Sequence, residues 1–198
     1  MPSKPHIVII VASTRAVRFA DHAVAWLLER VAHHDEFTFE VLDLRDHPLP
    51  FYDLTTAPAM AHRQYSTDEE RTVGEILDGA DGFLAIVNEY NHGYSAALKN
   101  TLDHFFVELK HKPISFFGYG NVGGSRAIEQ LRLVIAELDM ASVRPTVHLF
   151  GPQMMAIRQG GQASAEAFAV IEPRLDALLD DLHWWASALQ AARSETVE

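Results

Sequence analysis

Residues His6 to Ala12 read HIVIIVA, and this near-continuous β-branched run constrains the chain more than any other feature. A strand with no polar face must be covered on both sides, as in a parallel sheet flanked by helices. The pattern then recurs. Phe37 to Leu44 alternates in part and reads as a second strand, Gly82 to Val87 (GFLAIV) as a third, and Pro113 to Gly118 (PISFFG) as a fourth. Val143 to Phe150 is a fifth, with Pro145 marking an edge or a strand start. Helical spacing fills the gaps: Asp21 to Val31, a stretch through Leu77 opened by the capping pair Ser66 and Glu69, Ser95 to Leu109, and Ser125 to Leu138. Ala163 to Arg193 reads as helical, with Pro173 starting or kinking its main helix. Strands alternating with helices predict an open parallel α/β sheet, helices on both faces, in one domain over residues 1–198.

Composition narrows what such a domain does. A hydrophobic fraction of 48% supplies a core, yet no apolar run reaches the roughly 18 residues of a membrane span. Met1 to Pro5 lacks the pattern of a secretory leader, so a cytoplasmic location is expected. The chain has no cysteine, which excludes disulfides, thiolate metal sites and cysteine nucleophiles. The eleven histidines, His33-His34, His104 and His111 among them, show no ligand spacing, and no metal is expected. A net charge of −11 opposes a nucleic-acid backbone. Any anionic ligand needs a local basic pocket set against that field.

In open α/β sheets, ligands bind beyond the carboxyl ends of the strands, near the switch in strand order. The loops after strands one, three and four are therefore the candidates. The first reads Ser13-Thr14-Arg15-Ala16-Val17-Arg18-Phe19-Ala20 and enters a helix. It fits either a phosphate held by free amides, hydroxyls and two guanidinium groups, or a plain helix cap with solvated arginines. The next reads Asn88-Glu89-Tyr90-Asn91-His92-Gly93-Tyr94-Ser95, polar and aromatic enough to border a flat ring, but many strand-to-helix loops carry such residues without a function, and that plain reading is the stronger from the loop alone. The last, Gly118-Tyr119-Gly120-Asn121-Val122-Gly123, matches G-x-G-x-x-G, but in the fourth unit rather than the first, and no acidic residue follows the next strand. Its glycines are better read as letting the backbone approach a flat ring.

Taken together, these loops resemble the NADPH-dependent FMN reductase family. Ala12-Ser13-Thr14-Arg15 with Arg18 resembles its first loop, Gly-Ser-Thr-Arg followed by a second arginine. Asn88-Glu89-Tyr90-Asn91 resembles its Pro-Glu-Tyr-Asn, and Leu98-Lys99-Asn100 a recurrent helix start. Tyr119-Gly120 and Gly123-Gly124-Ser125-Arg126 resemble the third loop. The resemblance implies a flavodoxin-like three-layer fold with a five-stranded parallel sheet in the order 2-1-3-4-5. It implies bound FMN, with Ser13, Arg15 and Arg18 on the phosphate and Thr14, Phe19 and Ala20 completing that loop. Asn88, Glu89, Tyr90 and Asn91 would border the ribityl chain and ring, and Tyr119, Gly120, Gly123 and Gly124 the ring's other side.

The implied activity is hydride transfer from NADPH or NADH to FMN, then electron transfer to a small acceptor such as free flavin or a quinone, in a ping-pong cycle. The cofactor carries such chemistry, so no catalytic side chain is expected. The chain has no G-x-S-x-G elbow. The alternatives are a non-enzymatic electron carrier of the flavodoxin type, a dehydrogenase using the Gly118 loop, and a regulatory module without redox work. The paired arginines Arg15 and Arg18 favour the reductase over the carrier. Leu98, Leu102, Phe105, Phe106 and Leu109 exceed one buried stripe, which suggests a subunit contact. The resemblance likewise implies a homodimer or homotetramer. Trp184 and Trp185, with Leu178, Leu179, Leu182 and Leu189, are expected to pack the last helix on the sheet.

Overall fold

A computed structural model describes residues 4–32 and 34–195. Five strands, β1 (His6–Val11), β2 (Thr38–Asp43), β3 (Gly82–Asn88), β4 (Pro113–Tyr119) and β5 (Ala141–Leu149), form one sheet. All pairings are parallel and the order is β2-β1-β3-β4-β5, the flavodoxin-like arrangement. Period-two alternation splits β1 between two cores. Ile7, Ile9 and Val11 face α1 (Ala20–Val31), α6 (Gly151–Gln159), α7 (Gly161–Ala169) and α8 (Glu172–Glu195). Val8 and Ile10 face α3 (Asp68–Gly79), α4 (Ala96–His104) and α5 (Ser125–Glu137). A four-residue helix, α2 (Pro58–Ala61), interrupts the long connection after β2.

Pro145 does lie on an edge strand. The β4–β5 register jumps from Ile114↔Ser142 to Phe116↔Thr146, and Ser115 Oγ donates to the Pro145 carbonyl at 2.9 Å across the irregularity. A strand that has lost ladder bonds there tolerates a residue without an N–H.

Four points differ from the sequence reading. The third predicted helix stops at His104 rather than Leu109, because Phe105 turns extended and drops its ring into the core. Most of the apolar surplus read as a subunit contact is spent inside this chain: Leu98, Leu102, Phe105 and Leu109 are buried, and Phe106 is half-buried. The last helix packs through Leu175, Leu178, Leu179, Leu182 and Ala186, and leaves Trp184 63% exposed and against Trp185. Lastly, α6 precedes the stretch read as helical. A glycine-proline start and Gly160 after its end were its signals.

Candidate functional site

The loops after β1, β3 and β4 converge at the carboxyl end of the sheet. Ser95 fastens two of them. Its hydroxyl caps α4 by accepting from Leu98 N at 3.2 Å and donates to the Ala12 carbonyl at 2.7 Å, which ties the start of α4 to the end of β1. Between the loops lies a cavity of about 120 Å³ lined by Ser13, Arg15, Arg18 and Phe19, by Asn88, Glu89 and Tyr90, and by Tyr119 and Gly120. Met154 and Arg158 of α6 complete it. A larger cavity of about 660 Å³ between α1 and α7 is remote from all three loops and takes in none of the predicted residues.

Arg18 is not a free cation. Its Nε donates to Asp21 at 2.8 Å, one Nη to Asp43 at 2.8 Å and to the Ser13 carbonyl, and the other Nη to Asp43 again. Hydrogen bonding to Asp43 holds the guanidinium protonated well beyond its ordinary range. Burial pushes the Asp43 carboxyl up, and Arg18 with the Arg45 amide more than reverses it, leaving it below its usual value. Asp43 reaches the loop because parallel pairing sets it beside Val11, where the loop begins. Arg15 is exposed and makes no hydrogen bond or ion pair among the described residues. Thr14 is exposed and Ala20 is buried in the core, and neither lines the cavity.

The loop after β3 closes on a two-residue turn. Tyr90 and Gly93 exchange backbone bonds of 2.8 and 2.9 Å, and Asn91 and His92 both have positive φ. Asn91 and His92 are exposed at its tip, outside the cavity lining. Arg126 braces this loop, donating from Nε to Glu89 Oε1 at 2.6 Å and from Nη1 to His92 Nε2 at 2.8 Å. That leaves Glu89 Oε2 buried without a partner among the described residues, and Asn88 Oδ1 and Nδ2 likewise. Buried polar atoms cost about 1–3 kcal/mol when unpaired, and three lie together here on residues that line the cavity.

The glycine-rich loop is folded against its own strands. A Cβ on Gly118 would stand 2.3 Å from the Gly123 carbonyl oxygen, and Gly124 at φ +69° lies under Tyr119. Gly123 and Gly124 are thus buried packing positions outside the cavity lining, and Gly120 alone of the predicted glycines borders it. This accounts for G-x-G-x-x-G without a dinucleotide. Tyr119 is buried against Phe19, ring centres 5.2 Å apart, and burial pushes its hydroxyl up to about 12. Met154 and Arg158 were not among the predicted residues, because α6 itself was not foreseen.

These residues fit FMN. The cavity lining combines an arginine unpartnered among the described residues and a helix-entry loop with unpaired amide and carboxylate atoms, donors and acceptors suited to a phosphate tail and a polar-edged ring. His33 lies outside the described residues, and among those described no group of three or more His, Asp or Glu could hold a metal ion. No described helix is long and apolar enough to cross a membrane.

Comparison with known proteins agrees. The chain is 36% identical over 143 residues to an NAD(P)H-dependent FMN reductase of Schizosaccharomyces pombe, spanning 72% of this chain and 71% of that one. It is 30% identical over 141 residues to the NAD(P)H-dependent FMN reductase LOT6 of Saccharomyces cerevisiae, spanning 67% and 74%. The fold superposes on FerB of Paracoccus denitrificans, a flavoenzyme NAD(P)H:(acceptor) oxidoreductase, with a TM-score of 0.70 at 17% identity, over 90% of this chain and 97% of that one. The sequence model of NADPH-dependent FMN reductase matches residues 5–152. The chain belongs to the NADPH-dependent FMN reductase family, oxidoreductases that bind FMN and take electrons from NAD(P)H.

Proposed function

We propose that this chain binds FMN in the three-loop cavity, accepts a hydride from NAD(P)H and passes the electrons to a small acceptor, free flavin or a quinone, in a ping-pong cycle. Bound FMN supplies the redox chemistry. The protein's part is to bind and orient. Arg15 and the amides entering α1 meet the phosphate, and the Asn88 amide and Glu89 Oε2 meet polar atoms of the ligand. Arg18 stiffens the first loop through Asp43 and Asp21. The observation that carries this reading is Asn88, buried with both side-chain polar atoms unpaired at the rim of a cavity that also holds a free arginine.

Arg15 and Arg18 do not weigh against a simple electron carrier as a pair, since Arg18 is neutralised within the chain. Family membership favours the reductase instead. A cavity of about 120 Å³ is below the ~300 Å³ of sites that enclose a ligand alone. That fits a flavin left open on one side and covered by a second subunit, in a dimer or tetramer. A cytoplasmic setting, where the donor is replenished, goes with this activity.

The test is an absorbance spectrum after FMN addition and desalting, repeated after anaerobic NADPH. Retained flavin that bleaches supports the proposal. Retained flavin that stays oxidised makes the chain a carrier, and no retained flavin removes the reading altogether. Arg15→Ala should weaken FMN binding by about 1.5–3 kcal/mol, the scale of a charged hydrogen bond, at unchanged melting temperature.

A further inference from the structure

A phosphate monoester is a dianion, and the first loop offers it less charge than its sequence promises. Arg18 and Arg45 are interleaved with Asp21, Asp43 and Asp46, two cations against three anions, so this cluster contributes no positive charge. Arg15 is then the loop's one uncommitted cation, in a chain of net charge −11.

Another guanidinium faces the same cavity from an element that the family match does not fully cover. Arg158 lies near the end of α6, beyond the matched residues 5–152. It lines the cavity with Ser13, Arg15 and Tyr119. Its guanidinium carbon stands 5.7 Å from the centre of the Phe19 ring, the residue at which the first loop enters α1. A cation at that distance is attracted to the ring face, which holds it over the loop without neutralising it. Among the described residues Arg158 has no carboxylate partner, although Arg30, Arg63, Arg71 and Arg126 do. In so acidic a chain, two uncommitted arginines lining one cavity form a local basic site.

We infer that Arg158 is the second phosphate-binding cation for FMN, taking the place that Arg18 has given up to Asp43. The inference rests on the FMN reading above and concerns this chain's own α6. It makes flavin affinity depend on a helix outside the three loops, with Phe19 as the platform that presents the guanidinium. Arg15 and Arg158 would then both hold the phosphate with charge-assisted hydrogen bonds.

Riboflavin has the same ring and no phosphate, so it separates this inference from the reading beneath it. The apoprotein, Arg158→Gln and Arg158→Lys would each be titrated with FMN and with riboflavin, following quenching of flavin fluorescence. Arg158→Gln should weaken FMN about tenfold or more and leave riboflavin unchanged. Arg158→Lys should recover part of the loss, and added salt should shrink the difference. The side chain is exposed, so unchanged thermal melting of each variant serves as the folding control. If the native protein binds FMN and Arg158→Gln keeps its FMN-to-riboflavin ratio, the inference falls while the FMN assignment stands. It falls in the same way if Arg158→Gln changes only the KM for NADPH. If the native protein binds neither flavin, both fall together.

Discussion

Asn88 and Asn100 sit on consecutive elements of one chain and have opposite environments. The Asn100 amide is fully used: its oxygen accepts from Tyr52 N at 3.2 Å, and its nitrogen donates to the Leu49 and Pro50 carbonyls at 3.2 and 2.8 Å. Around it the connection after β2 is closed. His104 contacts Glu70 at 3.0 Å and the Pro50 carbonyl at 2.9 Å, Glu70 also accepts from Ser66 N at 2.6 Å, and Tyr65 donates to Glu108 at 2.9 Å. Asn88 is the more deeply buried of the two, and its amide has no partner among the described residues. One polar region is finished by the chain itself; the other waits for atoms the chain does not contain. On the function proposed above, the first belongs to stability and the second to binding. The two respond to mutation with opposite sign.

The largest effect is expected where the network is complete. Glu70→Ala strips the buried His104 ring and the Ser66 amide of their acceptor. Breaking a buried pair of this kind costs about 3–5 kcal/mol, read as a fall in the urea midpoint at unchanged slope. A loss below about 1 kcal/mol, the scale of a single ordinary hydrogen bond, would mean that the region relaxes around water and is not the closed structure described.

Lys112 is an intermediate case, satisfied in hydrogen bonds and penalised in charge. It is buried at the start of β4 and donates to the Leu77 and Asp78 carbonyls at 2.8 and 2.7 Å, capping α3. Burial lowers its ammonium to about 8 from an ordinary 10.5. Between those values the unfolded chain binds the proton and the folded one does not, so stability rises with pH across that window. The gain approaches about 3 kcal/mol for a shift of this size. Urea midpoints of the native protein and Lys112→Met, compared from about pH 8 to 10.5, should converge or cross as the native protein gains. Parallel curves would show that the ammonium is solvated.

The sheet was legible because each strand is a local apolar run, and a run such as HIVIIVA has few alternatives. The loops were legible as places, since topology alone brings them together. What was not legible was partnership. Arg18 reads as a phosphate ligand from its neighbours, but its partner Asp43 is remote in sequence and arrives only through the Val11↔Asp43 register. The glycine loop reads as a ligand cradle, but Gly118 and Gly124 answer to backbone packing within the loop. Phe105 breaks a helix that its spacing would continue, because the second core has room for its ring. In each case a long-range contact decided between two local readings. The same holds for α6, whose Arg158 reaches the site through Phe19, a residue remote in sequence.

The smallest effect in energy is the sharpest test of the comparison. Asn88→Leu keeps the side chain's size and removes its polar atoms. If the amide is unpaired in the free protein, the substitution removes a desolvation cost, and the flavin-free protein should be stabilised by about 1–2 kcal/mol. FMN affinity should fall about tenfold at the same time, because the ligand edge then meets a methyl group. Stabilisation with loss of binding is the pattern expected where structure has been sacrificed to function. The same substitution at Asn100 should do the reverse, destabilising the fold by stranding the Tyr52 amide. If Asn88→Leu instead destabilises the flavin-free protein, the amide is paired before ligand arrives, and the contrast between the two asparagines disappears.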